Sequence, residues 1–445
     1  MTEAIRFGTD GLRARAGEPP MDPGSLRAIG SALGVLLQRG RGDRKRVLLG
    51  NDGRDSAGWI LEALCQGLAA AEVSCSDVGL CTTPALAFLA RTEPVDAAIM
   101  ISASHNPASD NGIKIFSHTG QKLADEDERE IERLARALRP KSIRQPRIRS
   151  ARGLLLKYEE HLANAFLDLD LAGIRIAVDA AHGGASELAP SILESLGAEV
   201  IRFACEPDGF NINEGVGALH PEGLARAIGG ADLGICFDGD GDRSIFVDGR
   251  GQVRDGDEQL FLFGTQMAEQ GRLPGRTLVA TVMSNMGLAV ALAARGISVL
   301  ETPVGDRSVA AAMRAHGYAL GGEQSGHLLF SENHLTGDAL YTALRLLSLP
   351  SVLQRGAAEA FAGFQRFPQR LIGVPVAEKP DLEQVPAIAR CAESVRKALG
   401  ERGRLVLRYS GTEPLCRVMV EGEDEATVAR LCEDLAQVIR REIGS

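Results

Sequence analysis

Three aspartates at alternate positions carry the clearest chemical signal in the sequence. Asp238, Asp240 and Asp242 are separated by single glycines, and Arg243 follows directly. Glycine lets the chain turn with little steric penalty, so the three carboxylates can converge on one point. Carboxylates this close repel each other unless a cation neutralises them, and oxygen ligands suit a hard divalent ion such as Mg²⁺. The spacing predicts a magnesium site, with an acidic turn exposed to solvent as the alternative.

An EF-hand calcium loop is the competing interpretation of this acidic segment. That loop requires a glycine at the position of Arg243 and a bidentate glutamate at the position of Gly249. Because neither position carries the required residue, the EF-hand is excluded.

A second polar segment, SASHNP from Ser102 to Pro107, also follows an apolar run. It contains Ser104 and His105, and Lys114 lies shortly after it. A serine at a strand end beside a histidine can act as a nucleophile, with the lysine as proton shuttle or phosphate partner. A capped serine and asparagine turn is the alternative, and composition alone favours it. Neither serine of this segment lies in a GxSxG or SxxK pattern, either of which would support a hydrolase.

A third polar segment reads GGEQSGH. It places Glu323, Ser325 and His327 at alternate positions, from which they can project on one face. These side chains can form hydrogen bonds to sugar hydroxyls or to an amine. A polar hairpin or turn without a ligand is the alternative.

A fourth segment, RYSGTEPLCR, combines small residues with two arginines. Backbone N–H groups and hydroxyls of such a loop suit phosphate oxygens, and guanidinium groups can engage them as well. The loop lacks the Walker pattern, so nothing points to a nucleotide. A tight β-turn with surface arginines is the alternative. The candidate phosphate-binding residues are Arg408, Ser410, Gly411, Thr412 and Arg417.

Two smaller signals lie near the N-terminus. The segment FGTDGLR places Arg13 in a glycine turn. Asp52, Arg54 and Ser56 follow an apolar strand, and helix capping is sufficient to explain them.

A pattern that recurs three times positions these segments. Each copy has an apolar strand, a turn, a helical stretch and a second strand, beginning near residues 46, 174 and 277. A further apolar strand then leads into SASHNP, DGDGDR or GEQSGH. Strands that alternate with helices indicate βαβ units, and ligands bind beyond the carboxyl ends of their parallel strands. The three polar segments are therefore expected to face one cleft.

The C-terminal part has a different pattern. Two strands enclose the RYSGTEP loop, and DEATVARLCEDLAQVIRREIG has the apolar period of a helix. At about 150 residues per domain, a length of 445 residues gives roughly three domains, with two to four allowed. The predicted fold class is α/β, with three related mixed-sheet α/β domains and a smaller C-terminal α+β domain around a central cleft. The predicted boundaries are 1–155, 156–255, 256–369 and 370–445.

Composition and charge narrow the class of protein. The chain has 49 lysines and arginines against 59 aspartates and glutamates, a net charge of −10, and 4% aromatic residues. Both values argue against a nucleic-acid partner. The N-terminus has no apolar signal sequence, and the apolar stretch from Leu278 is broken by Ser284, Asn285 and Gly287. Eight scattered cysteines without a CxxC pair suit a reducing compartment. A cytoplasmic enzyme with no membrane partner is expected.

Taken together and in this order, the segments resemble the α-D-phosphohexomutase superfamily. That family has a phosphoserine loop like TASHNP, a DGDGDR metal loop, a GExSG sugar loop and an RxSGTEP phosphate loop. The resemblance runs from Phe7 to Arg417, and it is closest to the branch that converts glucosamine phosphates. Two departures lie outside the expected site: Ala108 and Ser109 replace a frequent aromatic residue, and NDG at 51–53 replaces a GRDT-like segment.

The resemblance implies a role for each matching residue. Ser104 would carry the phosphoryl group, and one of its phosphate oxygens would bind Mg²⁺ together with the three aspartates. The catalytic group would also include Lys114, His105, Arg13 and Arg243. Glu323 and Ser325 would bind sugar hydroxyls with His327 nearby, and the residues of the fourth segment would bind the non-transferring phosphate.

The resemblance also implies a reaction. It is the isomerisation of glucosamine 6-phosphate and glucosamine 1-phosphate through a phosphoserine and a bisphosphate intermediate, which supplies UDP-N-acetylglucosamine and cell-wall synthesis. A phosphomannomutase/phosphoglucomutase on the same scaffold, a serine phosphohydrolase and a non-catalytic sugar-phosphate sensor are the alternatives. Both a monomer and a homodimer stay open.

Overall fold

The computed structural model describes residues 5–8, 10–40, 45–137, 145–400, 403–410 and 414–445. The chain divides into two compact units. The first comprises Met1–Val282 with Glu301–Ala362, and the second comprises Met283–Leu300 with Gly363–Ser445. Two residues of the predicted phosphate-binding loop, Gly411 and Thr412, lie outside the described residues.

The first sheet contains six strands in the order β1-β5-β4-β2-β3-β6. Strand β2 is parallel to β3 and β4, whereas β5 is antiparallel to β4. Val47 and Leu49 pack toward the core of α1, α2 and α4, and Leu48 packs on the opposite face with α3. The bounds are β1 Leu12–Arg15, α1 Pro23–Gln38, β2 Arg46–Asn51, α2 Ala57–Ala70, β3 Ser74–Leu80, α3 Thr83–Thr92, β4 Ala97–Ile101, β5 Asp110–Ser117, α4 Asp125–Ala137 and β6 Ile148–Ser150.

Helices α1 and α2 pack through glycines. A Cβ atom on Gly30 would lie 2.3 Å from the Leu64 carbonyl oxygen, and one on Gly67 would lie 2.2 Å from that of Arg27. The two helix backbones approach each other because neither glycine has a side chain. Part of the high glycine content therefore serves packing.

The second sheet has the order β11-β10-β9-β7-β8. Strand β7 is parallel to β8 and β9, and β10 is antiparallel to β9. The bounds are α5 Leu155–Ala165, β7 Arg175–Asp179, α6 Leu188–Ser195, β8 Glu199–Phe203, α7 Glu222–Ala227, β9 Leu233–Phe237, β10 Ser244–Asp248 and β11 Val253–Arg254.

The third sheet has the order β13-β12-β14-β15. Strand β12 is parallel to β14, and β15 is antiparallel to β14. The bounds are α8 Gly256–Glu269, β12 Thr277–Thr281, α9 Met286–Ala293, β13 Ser298–Thr302, α10 Asp306–His316, β14 Leu320–Gly322, β15 Leu328–Phe330, α11 Ala339–Leu347, α12 Pro350–Arg355 and α13 Ala357–Ala360.

The same local topology carries each of the first three polar segments. In each of these three sheets, a strand parallel to its neighbour ends at the segment, and the next strand returns antiparallel to it. The connections are β4 to β5, β9 to β10 and β14 to β15. The predicted threefold recurrence and the mixed sheets are confirmed.

The second unit contains a three-stranded antiparallel sheet in the order β16-β18-β17. The two strands and the helix predicted around RYSGTEP are confirmed as β17, β18 and α15. Strand β16, which is interrupted by Gly373 and ends at Pro375, and helix α14 were not predicted. The bounds are β16 Gln369–Pro375, α14 Pro386–Leu399, β17 Gly403–Tyr409, β18 Leu415–Gly422 and α15 Glu425–Ile443.

The apolar stretch from Leu278 folds as β12, a turn and α9, as its interrupting polar residues predict. Within the described residues, no helix has both the length and the apolar character needed to cross a membrane.

Candidate active site

The DGDGDR segment forms a buried turn after β9. The side chains of Asp238, Asp240 and Asp242 are at most 6% exposed, and one oxygen of each lies within 4.8 Å of the others. A Cβ atom on Gly239 would lie 2.6 Å from the carbonyl oxygen of Ser104, so glycine permits the two loops to touch. Burial excludes the alternative of an acidic turn in solvent.

The three aspartates differ in how their carboxylate oxygens are bonded. Asp238 Oδ1 accepts the backbone N–H groups of Asp242 and Arg243, both at 3.1 Å. One oxygen each of Asp240 and Asp242, the Oδ1 atom, is buried and has no hydrogen-bond partner within the described residues. Buried carboxylate oxygens without a donor are costly unless a cation binds them. This donor set fits a hard divalent metal ion.

Lys114 on β5 neutralises part of this charge. Its Nζ atom lies 2.8 Å from Asp240 Oδ2, 3.0 Å from Asp242 Oδ2 and 3.2 Å from Asp10 Oδ2. Burial alone would lower the pKa of Lys114, but the carboxylates of Asp10, Asp240 and Asp242 outweigh it and hold that pKa well above its ordinary value. Lys114 is therefore a charged ammonium inside the site. Asp10, which belongs to the FGTDGLR segment, was not predicted as a partner.

Ser104 reaches the metal loop directly. Its Oγ atom donates to Asp238 Oδ2 at 2.8 Å, and its backbone has a positive φ of 52°. The Ser104 N–H group donates to Ser102 Oγ, whose own hydroxyl donates to Asp52. Burial, followed by repulsion from Asp242 and Asp240, raises the pKa of Asp238 well above its ordinary value. The two loops predicted to share one site thus meet at a hydrogen bond.

The guanidinium group of Arg54 holds the backbone of the loop that carries Ser104, which we call the serine loop. All five of its N–H donors are used: Nε bonds Asp52, and the two terminal nitrogens bond the backbone carbonyls of Ser104, Asn106, Pro107 and Asp110. The side chain of Arg54 is fully buried. The prediction that this region merely caps α2 is wrong, because Ser56 makes no capping bond and accepts from Asn111.

We expect Arg54→Lys to weaken both the fold and turnover. Lysine keeps the charge but offers three N–H donors in place of five fixed ones, so loop carbonyls lose their partners. The free energy of unfolding should fall by about 2–4 kcal/mol. Urea unfolding and an assay of the isomerisation that the resemblance implies measure the two effects. The control Arg133→Lys changes a side chain that is 63% exposed and paired with Glu130, and it should change stability by less than about 1 kcal/mol. Wild-type stability in Arg54→Lys would contradict the support role.

Three further predicted catalytic residues surround Ser104. His105 Nδ1 lies 3.3 Å from Ser104 Oγ, and burial together with Arg243 and Arg13 lowers the pKa of His105 to about 4. Arg243 Nε lies 4.0 Å from Asp238 and 3.8 Å from Asp242. Arg13 pairs with Asp10, and its Nη1 atom donates to Asn106 Oδ1 at 3.4 Å. The structure therefore brings both arginines and a neutral imidazole to the serine loop.

The predicted sugar segment forms the turn between β14 and β15. Glu323 Oε1 accepts the Gly305 N–H group at 2.9 Å, and Ser325 Oγ lies 3.5 Å from Glu323 Oε2. His327 also reaches the metal loop, where its Nδ1 atom lies 3.7 Å from Asp242 Oδ1. Burial would lower the pKa of His327, but Asp242 and other carboxylates raise it to about 9. Glu323 and Ser325 thus lie side by side, and His327 lies against the metal loop.

A second lysine extends the charged network. Lys122 Nζ lies between Asp10 and Asp306, at 2.6 Å from Asp306 Oδ2. Burial would raise the pKa of Asp10, but Lys114, Lys122 and Arg13 hold it well below its ordinary value. A cavity of about 500 Å³ adjoins these groups and is lined in part by Lys122, Asp242, Asp306, Arg307 and His327. Lys122 and Asp306 were not predicted, because no motif around them signals a distant partner.

The second unit places the two predicted phosphate-binding arginines side by side. Arg408 on β17 and Arg417 on β18 are directly paired residues of the antiparallel ladder. Burial and the positive charge of the nearby Arg417 lower the pKa of Arg408, because both disfavour its charged form. Lys379 Nζ donates to the Ser410 carbonyl at 2.8 Å. The strands thus concentrate positive charge beside the described part of this loop.

Comparisons with known proteins cover nearly the whole chain. Four phosphoglucomutase/phosphomannomutase domain families match: alpha/beta/alpha domain I at residues 4–141, domain II at 157–251, domain III at 255–367 and the C-terminal domain at 371–438. The domain boundaries at 155, 255 and 369 stay predictions.

Curated relatives give a narrower comparison. The phosphoglucosamine mutase of Syntrophotalea carbinolica is 43% identical over 98% of both chains, and that of Solibacter usitatus is 44% identical over 98% of this chain and 99% of its own. A phosphoglucomutase/phosphomannomutase family protein from Burkholderia thailandensis has a solved structure that matches with a TM-score of 0.78, 25% identity and 99% coverage of both chains. The chain therefore belongs to the phosphoglucomutase/phosphomannomutase family, and within it to the phosphoglucosamine mutases.

Proposed function

We propose that this chain interconverts glucosamine 6-phosphate and glucosamine 1-phosphate, an isomerase reaction by intramolecular phosphoryl transfer. The observation that carries the proposal is the 2.8 Å bond from Ser104 Oγ to Asp238 inside the aspartate cluster. The names of the curated relatives support the choice of a hexosamine phosphate. A product of this kind would supply UDP-N-acetylglucosamine and cell-wall synthesis.

We propose Mg²⁺ as the metal and Ser104 as the phosphorylated residue. Asp238, Asp240 and Asp242 would hold the ion together with a phosphate oxygen on Ser104. The Oδ1 atoms of Asp240 and Asp242, which accept no hydrogen bond from the described residues, support this assignment. When bound, a divalent ion neutralises charge on a transferring phosphoryl group.

Residues of the chain itself would position the reacting groups. The phosphoryl group leaves Ser104 Oγ as its P–O bond breaks, and a new P–O bond forms to a sugar hydroxyl oxygen. The sugar hydroxyl gives up a proton, and Ser104 Oγ takes one. His105 is the candidate for proton exchange with Ser104, since it lies within 3.3 Å of that oxygen. Lys114, Arg13 and Arg243 contribute positive charge near the phosphoryl group.

Recognition of the substrate would involve two further groups of residues. Glu323 and Ser325 would bind sugar hydroxyls, with His327 nearby. The non-transferring phosphate would bind the loop formed by Arg408, Ser410, Gly411, Thr412 and Arg417. Such a loop can hold either phosphate of a bisphosphate intermediate. The intermediate can therefore reverse its orientation in the site, and the phosphoryl group on the other sugar oxygen can return to Ser104.

We expect Arg408→Ala to raise KM for the sugar phosphate. Loss of one charge-assisted bond to phosphate is worth about 1.5–3 kcal/mol, or roughly 10- to 100-fold. Steady-state kinetics measures the change. Arg430→Ala on α15 is the control, because that side chain is 62% exposed and pairs with Asp434. An unchanged KM in Arg408→Ala would contradict the phosphate-binding role.

A comparison of three substrates tests the reaction itself. We expect kcat/KM for glucosamine 6-phosphate to exceed that for glucose 6-phosphate and mannose 6-phosphate by at least about 10-fold. Product analysis should show the 1-phosphate with little release of orthophosphate. A preference for glucose or mannose would make the chain a phosphomannomutase/phosphoglucomutase, and net orthophosphate release without a 1-phosphate would indicate a phosphohydrolase.

A further inference from the structure

Thr83, the first residue of α3, contacts the metal loop through two separate bonds. Its backbone N–H group donates to the Asp240 carbonyl at 2.8 Å, and its hydroxyl donates to Asp240 Oδ2. Thr83 is 4% exposed and lies 157 residues from Asp240 in the chain. Main chain and side chain of the same aspartate are thus held by one residue.

The preceding residue anchors this arrangement. Thr82 is the N-cap of α3, and its Oγ1 atom accepts the Ala85 N–H group at 3.3 Å. Its methyl group packs on the metal loop, since a Cβ atom on Gly241 would lie 2.6 Å from that methyl carbon. Thr82 caps the helix with its hydroxyl, whereas the hydroxyl of Thr83 is used for the bond to Asp240.

The bonds to Asp240 are unevenly distributed over its carboxylate. Oδ2 accepts from both Thr83 and Lys114, whereas Oδ1 is buried without a donor among the residues described. A carboxylate held at one oxygen by two donors presents its other oxygen in a fixed direction. We infer that Thr83 is a positioning residue that orients Asp240 Oδ1 toward the metal ion, an inference that rests on the proposed metal site.

Lys114 alone is poorly suited to this task. Its ammonium group is shared among Asp10, Asp240 and Asp242. An ammonium is a point charge on a flexible stem, so it attracts carboxylates without fixing their orientation. The Thr83 hydroxyl sits on a short side chain whose backbone is itself bonded to Asp240. Outer residues of this kind orient metal ligands, and their loss typically lowers metal affinity by about 10- to 100-fold.

Magnesium binding to the full chain tests the inference. Thr83→Val keeps the shape and the backbone N–H group but removes the hydroxyl. After treatment with a chelator, calorimetric titration with Mg²⁺ alone should show a Kd raised about 10- to 100-fold. Thr83→Ser, which restores the hydroxyl, should bind within about threefold of wild type, and raised Mg²⁺ should recover turnover in Thr83→Val, as expected for a defect in metal affinity.

The matched control is Thr277→Val at the start of β12. Thr277 is buried and its hydroxyl bonds the Gly275 carbonyl, at the opposite end of the strand from the site. Its Mg²⁺ affinity should equal that of wild type. If Thr83→Val does not fold, Thr83→Ala provides the same loss of the hydroxyl.

Two results would overturn the inference while leaving the proposed function in place. They are wild-type Mg²⁺ affinity in the variant without the hydroxyl, and equal weakening in Thr83→Ser. A different result would remove the proposed metal site and the inference together: wild-type protein whose Mg²⁺ binding is absent or is unaffected by Asp238→Asn.

Discussion

Replacing Ser104 by alanine should abolish mutase turnover and leave the fold intact. Alanine has no oxygen to carry the phosphoryl group, and loss of an enzyme nucleophile typically lowers kcat by on the order of 10⁴–10⁶-fold. The variant loses one hydrogen bond to Asp238, which should change stability by only about 1 kcal/mol. Kinetics of 1-phosphate formation and urea unfolding measure the two effects separately.

Peptide mapping identifies the phosphorylated hydroxyl independently of activity. Ser104 should carry the phosphate, because the hydroxyl of Ser102 donates to Asp52 at 2.5 Å and accepts from the Ser104 N–H group. Ser109→Ala is the control, since that serine is exposed on the same loop and should keep full turnover. Retained activity in Ser104→Ala, or a phosphate found on Ser102, would refute the assignment.

Lys114→Met should destabilise the protein and also abolish turnover. The substitution keeps the apolar stem but leaves Asp10, Asp240 and Asp242 without their shared ammonium. Removal of one partner from a buried ionic cluster typically lowers the free energy of unfolding by about 3–5 kcal/mol. Mg²⁺ should restore part of that loss, because a dication that binds the folded state alone stabilises it.

Urea unfolding with and without Mg²⁺ measures this effect. Lys157→Met is the matched control: its side chain is 52% exposed and pairs with Glu93 at 2.6 Å, so its stability should change by less than about 1 kcal/mol. A Lys114→Met protein with wild-type stability in the absence of metal would show that the ammonium does not compensate the buried carboxylates.

Short-range sequence patterns were sufficient to predict part of the candidate active site. The alternation of aspartate and glycine at 238–242 could be recognised locally, because that loop is one continuous segment after an apolar strand. For the serine beside His105, composition alone favoured a capped turn, and its catalytic role came from the resemblance to the family. The threefold recurrence also placed these loops at equivalent strand ends. Repeated βαβ units have a restricted topology, so their order along the chain carries information about space.

Contacts between distant segments could not be predicted in the same way. Arg54 lies 50 residues from Ser104, Lys114 lies 126 residues from Asp240, and Thr83 lies 157 residues from Asp240. Local interpretation treated the region of Arg54 as helix capping, and it gave no reason to place His327 against Asp242 rather than beside Glu323.

The amino-acid sequence by itself determined the family, the chemistry of the loops and the repeated sheets, since these depend on residue types at short spacing. Tertiary structure alone decided which oxygen of each carboxylate is bonded and which is available. That choice depends on donors arriving from other strands and helices, whose distances and directions exist only once the chain is folded.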